Sequence, residues 1–253
     1  STADKSNTVS KLIASMLVEK LGVPVVKKKA KGQTSGSNFE KIIAEYIRRT
    51  FLKFSHLRPG KWEVRGDNPD TDKGLDISNF EQFQHIRDLK DAIEKDSNLK
   101  AALGEDYLIT PDVVVLRSAE DDSVINNPAR IVDDENGLYS PLRKRNHKDP
   151  KKLLHASVSC KWTLRSDRAQ NARSEALNLI RNRKGRVPHI VAVTAEPTPL
   201  RIASLALGTS DLDCVYHIAL KELIRSVSEA AKTNKYVEDH IETLEMLVEG
   251  KRL

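Results

Sequence analysis

Three things are scarce in this chain of 253 residues: cysteine, long apolar runs and repeated or low-complexity tracts. Only Cys160 and Cys214 carry thiols, and their separation has no metal-finger spacing. The expectation is two reduced cysteines inside a cytosolic protein. No run of about 18 apolar residues occurs, so no transmembrane helix is expected. The opening S-T-A-D-K-S-N-T lacks the apolar centre of a signal peptide, and the missing initial methionine leaves room for residues before Ser1. No internal repeat is visible, which argues against a repeat architecture.

What is present fits a globular protein with a large solvated surface: 39% hydrophobic and 31% charged residues. The length is enough for a sizeable core, most simply one domain over 1–253 with elaborations. The formal charge of +6 points weakly to a polyanionic partner. The position of the charge says more. Between positions 165 and 186 stand Arg165, Arg168, Arg173, Arg181, Arg183, Lys184 and Arg186, against only Asp167 and Glu175. Acidic residues gather elsewhere, as in D-N-P-D-T-D (67–72) and D-D-E (133–135).

Periodicity predicts an amphipathic helix over 8–21, ended by Gly22 and Pro24. A basic, Gly- and Ser-rich loop is expected over 27–37. A long helix follows, roughly 37–54, with Phe39, Ile42, Ile43, Tyr46, Ile47 and Phe51 on one face. W-E-V-R (62–65) is a short strand, and 79–102 reads as one or two polar helices. Central strands are expected at 112–117, 156–162 and 189–194, with a further one at 213–217. Helices are expected at 169–183, 218–232 and 236–248. The helical N-terminal region covers about 1–60, and a polar segment of about 118–150 reads as an irregular excursion or mobile loop. Strands mixed with helices over one core imply an α/β fold, a mixed central sheet flanked by helices.

The chemistry gathers around S-C-K-W-T-L-R-S-D-R-A-Q-N-A-R-S-E (159–175). Phosphodiester hydrolysis requires an activated water, stabilised charge on phosphorus and a neutralised leaving oxygen. Mg²⁺ held by oxygen ligands supplies these, with a lysine to orient or deprotonate the water. Asp112 follows a proline at the mouth of an apolar strand. Ser159 and Lys161 share one face of their strand, while Cys160 points to the core and offers its main-chain carbonyl. The usual pattern is P-D, a long gap, then an acid, one residue and a lysine. Here Ser159 stands at the acidic position, and Glu175 on the next helix is placed to supply the displaced carboxylate. On the residues alone, Asp112 as a turn cap and Lys161 as a solvated strand end stay open, as does Glu40 as an exposed acid near a helix start.

Arg165, Asp167 and Arg168 open a helix. Arginine pairs bidentately with guanine, and aspartate accepts from cytosine N4, so the cluster suits adjacent G·C pairs. A local salt bridge between Asp167 and a neighbouring arginine is the alternative. His155, His189 and Trp162 are expected to be structural, with Trp162 packed beside Cys160. The K-K-K run (27–29) reads as a solvated loop close to Gln33. R-K-R-N-H-K (143–148) has the composition of a nuclear localisation signal.

The stretch from Ser159 through T-A-E-P-T-P resembles the catalytic and recognition segment of the NgoMIV-like type II restriction endonucleases, a CCGG-cutting group with the PD-(D/E)XK nuclease fold. G-Q-T-S-G-S-N-F-E (32–40), A-A-L-G-E-D-Y-L-I-T-P-D (101–112), A-L-G-T-S-D-L-D-C-V-Y-H (206–217) and the ending V-E-G-K-R-L extend the resemblance over most of the chain. Segments 65–80 and 118–150 follow the family pattern less closely. The resemblance implies a restriction-endonuclease-like mixed sheet. It matches Asp112 to the metal-binding aspartate, Cys160 to the residue whose main-chain carbonyl joins it, and Lys161 to the catalytic lysine. Ser159 and Glu175 match the swapped serine and glutamate, and Glu40 the outer acid. Arg165, Asp167 and Arg168 match the readers of the inner C·G pairs, and Arg201 the reader of the outer guanine. Gln33 and Ser6 match residues approaching from the minor groove.

The implied activity is Mg²⁺-dependent double-strand cleavage of GCCGGC after the first G, with two ions per active site. The implied partners are double-stranded DNA and further copies of the chain in a homotetramer of two dimers, with a companion methyltransferase in a bacterial cytoplasm and no membrane. Two other readings are a related-fold nuclease with little sequence preference and a DNA-binding protein without catalysis.

Overall fold

The computed structural model describes residues 2–24, 32–66, 75–95, 109–144, 150–207 and 211–250. The K-K-K run, most of R-K-R-N-H-K and the stretch 101–108 lie outside the described residues. Five strands form one mixed sheet in the order β1-β2-β3-β4-β5: β1 is Trp62–Arg65, β2 Val113–Arg117, β3 Leu153–Lys161, β4 His189–Thr194 and β5 Cys214–His217. β1 runs antiparallel to β2, with Val64 opposite Val115. β4 and β5 run parallel, with Val193 opposite Tyr216. Among the described residues the α-helices are α1 (Thr8–Leu21), α2 (Gly32–Phe51), α3 (Gln84–Lys95), α4 (Asp122–Ile125), α5 (Ser166–Asn182), α6 (Pro199–Ala206), α7 (Leu220–Thr233) and α8 (Glu238–Glu249). No helix among the described residues is long and apolar enough to cross a membrane.

The chain divides into two compact units. The first comprises 1–40, 158–177 and 190–253; the second comprises 41–157 and 178–189. The core of the first unit gathers Val9, Ile13 and Leu17 from α1 with Ala192, Val215, Leu223, Val227, Leu244 and Leu247. The spacing of the three α1 residues is one helical face. Asn7 caps that helix by accepting from the Ser10 amide at 2.9 Å. Gly22 closes it in the left-handed region at φ 61°, which glycine adopts without a Cβ penalty.

In the second unit, Val113, Val114, Val115 and Leu116 are all buried, so β2 is covered on both faces. β3 begins under the side chain of Gln82, buried to 4% exposure. Its amide donates to the Leu154 carbonyl at 2.7 Å and accepts from the Leu154 amide at 2.9 Å. A glutamine thereby completes a strand ladder in place of a neighbouring backbone.

Two expectations are corrected. The segment 32–37 is helical rather than loop, because α2 starts at Gly32. Burial of Phe39, Ile43 and Ala44 outweighs the weak helix propensity of its glycines. On the same helix Ile42 and Tyr46 are exposed, so its buried face is narrower than the expected stripe. In the excursion, the described residues 118–144 are held by side-chain hydrogen bonds. Arg143, fully buried, donates from Nε to Asp122 Oδ1 at 2.6 Å and from Nη2 to Oδ2 at 2.7 Å. Its Nη1 donates to the Asn136 carbonyl at 3.0 Å. Glu120 accepts from the Lys61 amide at 3.1 Å, which anchors the segment beside β1.

Candidate active site

β3 ends on the residues the sequence singles out. Cys160 is buried, Ser159 nearly so, and Lys161 is half-buried at the strand's last position. α5 returns over this end and brings Glu175 to Ser159, with Ser159 Oγ donating to Glu175 Oε2 at 3.4 Å. The serine in the usual acidic position and the glutamate fourteen residues beyond the lysine therefore meet, although no spacing rule for a strand would pair them. Lys161 is fixed through its carbonyl, which accepts from Thr194 Oγ1 of β4 at 2.7 Å.

Trp162 is half-buried and packs edge-on against Phe39 of α2, ring centroids 5.2 Å apart, rather than sitting in the core beside Cys160. That contact joins the neighbours of Glu40 and Lys161. Gln33 belongs to α2, but its side chain lies outside the described residues. Asp112 lies in the second unit, immediately before β2, while the other named site residues lie in the first.

At the mouth of α5, Arg165 and Asp167 are exposed. No ion pair joins Asp167 to Arg165 or Arg168 among the described residues, and Arg168 Nη1 donates instead to Thr163 Oγ1 at 2.9 Å. Asp167 sits in the first turn of the helix, where the helix dipole favours a carboxylate. The local salt-bridge alternative is not what this segment adopts.

The third group centres on α6, a helix absent from the sequence expectations. Its signal was legible: Thr198 before Pro199 is a helix start, with proline at the first helical position. α6 carries Arg201, which pairs with Asp4 and lies 3.9 Å from Glu196. Asp4 Oδ1 also accepts from Ser6, from its amide at 3.0 Å and from its hydroxyl at 2.7 Å. The Arg201 guanidinium, followed by Ser6, holds the Asp4 carboxyl well below its usual range. Arg201, expected at the outer base pair, and Ser6, expected in the minor groove, thus share one carboxylate. Neither Asp4 nor Glu196 stood out in the sequence, because a lone acid without a spacing pattern carries no signal.

His155 and His189 pack with Phe51 and Trp62 in the second unit, His155 being 4.8 Å from Trp62 and 5.2 Å from His189 by ring centroids. Burial, then the neighbouring His189 and arginines, pushes His155 down to about 4. That environment fits a neutral packing residue.

No group of three or more His, Cys, Asp or Glu side chains converges among the described residues. The oxygen donors named for a metal are the Asp112 carboxylate, the Cys160 main-chain carbonyl and the neighbouring Glu175. Such a hard-oxygen set suits Mg²⁺, which takes one or two carboxylates and keeps waters and phosphate oxygens as its remaining ligands. The donor chemistry of these groups therefore suits that ion.

A profile of the NgoMIV restriction enzyme family matches residues 1–253. The type II restriction enzyme NgoMIV of Neisseria gonorrhoeae is 49% identical over 253 residues, covering 100% of this chain and 85% of the relative. The paired Ser159 and Glu175 beside a strand-terminal lysine, the arginine-rich helix mouth and a match across the whole chain agree. This protein belongs to the NgoMIV restriction enzyme family, and it is a type II site-specific deoxyribonuclease acting on DNA.

Proposed function

We propose that this chain cuts both strands of GCCGGC after the first G, leaving a 5′ CCGG overhang, with Mg²⁺ and as a homotetramer of two dimers. The observation that carries the catalytic half is the Ser159–Glu175 contact beside Lys161. It supplies a carboxylate where the strand itself has none. Asp112 and the Cys160 carbonyl would hold the ion. When bound, Mg²⁺ lowers the pKa of water and draws charge from the phosphate oxygens. Lys161 orients the attacking water with its ammonium, Glu175 fixes that water's second hydrogen bond, and Glu40 adds negative charge behind the centre. Attack is in line, with no covalent intermediate: the water oxygen bonds to phosphorus as the bond to the 3′ oxygen breaks, the water's proton passes to solvent, and the leaving 3′ oxygen takes a proton from solvent.

Arg165, Asp167 and Arg168 read the inner pairs in the major groove. The exposure of Asp167 favours readout over phosphate binding, because a carboxylate repels phosphate and gains only from a base donor. Arg201, Ser6 and Gln33 address the outer pair. The host setting is a bacterial cytoplasm containing a companion methyltransferase.

Digestion of a plasmid library containing every six-base sequence, followed by sequencing of the ends, tests this reading. Ends confined to GCCGGC with CCGG overhangs are expected. Ends at other CCGG-containing sites would contradict the assignment of the outer readers, and random ends would contradict the whole readout.

A further inference from the structure

Glu196 is a fully buried carboxylate two residues beyond β4, where it joins the turn after β3 to the start of α6. Its Oε2 accepts from the Leu164 amide at 2.9 Å, at the residue before Arg165. Its Oε1 accepts from the Thr198 amide at 3.2 Å, at the start of α6, and lies 3.9 Å from Arg201 Nη1. Its own amide donates to Thr194 Oγ1 at 3.1 Å, the same hydroxyl that donates to the Lys161 carbonyl. His217 of β5 donates to its carbonyl at 3.1 Å. The turn into the inner-base readers and the helix carrying the outer-base reader thus meet on one side chain, while the catalytic strand end is tied to its backbone amide through Thr194.

Burying a carboxylate is costly, and here burial raises its pKa against the pull of the amide hydrogen bonds and Arg201. A site needing only a filler would be served by an apolar residue. We propose that Glu196 is a positioning residue that sets Arg201 at a fixed distance from the Arg165–Arg168 readers, so that inner and outer base pairs are read in register. It touches neither DNA nor the reacting phosphate. Asp4 holds the other side of the Arg201 guanidinium, so the arginine is clamped between two acids.

The inference rests on the assignment of Arg201 to the outer pair, and the test separates the two. Steady-state cleavage is measured on duplexes containing GCCGGC and ACCGGT for the wild type, E196Q, E196D, R201A and E196Q/R201A. The readout is the ratio of kcat/KM between the two duplexes, which a general loss of folded protein does not move. R201A is expected to remove about tenfold or more of the discrimination, the worth of a good base contact. E196Q is expected to remove a comparable share, mainly through KM, and the double variant no more than R201A alone. E196D keeps the charge but shortens the reach, and its ratio is expected to lie between wild type and E196Q. It also carries the test should E196Q not fold. A normal ratio in E196Q or E196D with a collapsed ratio in R201A overturns the positioning role alone. A normal ratio in R201A overturns the assignment of Arg201 and this inference with it.

Discussion

His217 shows how a single side chain couples protonation to the fold. Its Nδ1 accepts from the Ala219 amide at 3.1 Å, so the network assigns the proton to Nε2, which faces the Glu196 carbonyl. Burial pushes the imidazole down to about 4. Protonation would set an N–H against the Ala219 N–H. The folded pKa lies below the unfolded value near 6.5, so the unfolded chain binds the proton first. The stabilisation is complete above about pH 6.5 and is lost as pH falls from there to about 4, by about 3 kcal/mol. Urea unfolding at pH 7.5, 5.5 and 4 should show this loss in the wild type and a shallower one in His217→Ala. Parallel pH profiles for the two proteins would contradict it. The segment that carries Ser159, Lys161 and Glu175 stood out in the sequence because a lysine two places beyond Ser159 and a basic helix mouth are local patterns. Asp4, Glu196 and His217 were not, because each acts through partners far away in sequence, and no local rule predicts those partners.

At the scale of elements, the start of β2 depends on close backbone packing at Gly66. This residue follows β1 with φ at +138°, and a Cβ there would lie 2.4 Å from the Asp112 carbonyl oxygen and 2.7 Å from Val113 Cα. Gly66→Ala therefore forces apart the residues that carry Asp112. A stability loss of about 2–4 kcal/mol in urea unfolding is expected, with cleavage slowed beyond the loss of folded protein. Wild-type stability in this variant would refute the packing argument. β1 and β4 occupy the ranges expected from sequence, β1 as a short W-E-V-R run after the Pro59-Gly60 turn and β4 as a short β-branched, apolar run. The N-terminus of α2 does not, since Gly32, Ser35, Gly36 and Ser37 read locally as a loop and are carried into the helix by the burial of Phe39 and Ile43 further along. α6 was overlooked for a different reason. Its eight residues are too few to show a period, although Thr198-Pro199 announced its start.

At the scale of the whole molecule, the mixed sheet and flanking helices followed from the alternation of apolar strand and helix patterns along the chain. The family assignment covers that entire length. The central claim is that Lys161 serves a metal-dependent centre that cuts one sequence, in an assembly that engages two copies of it. The most direct measurement is Mg²⁺-dependent cleavage of two plasmids, one with a single GCCGGC and one with two, by the wild type and Lys161→Ala, with binding measured on the same DNA. The account predicts cutting only at GCCGGC, faster cutting of the two-site plasmid, and a Lys161→Ala protein that binds but does not cut. Substantial cleavage by Lys161→Ala, or cutting of the wild type's substrates without regard to GCCGGC, would contradict it.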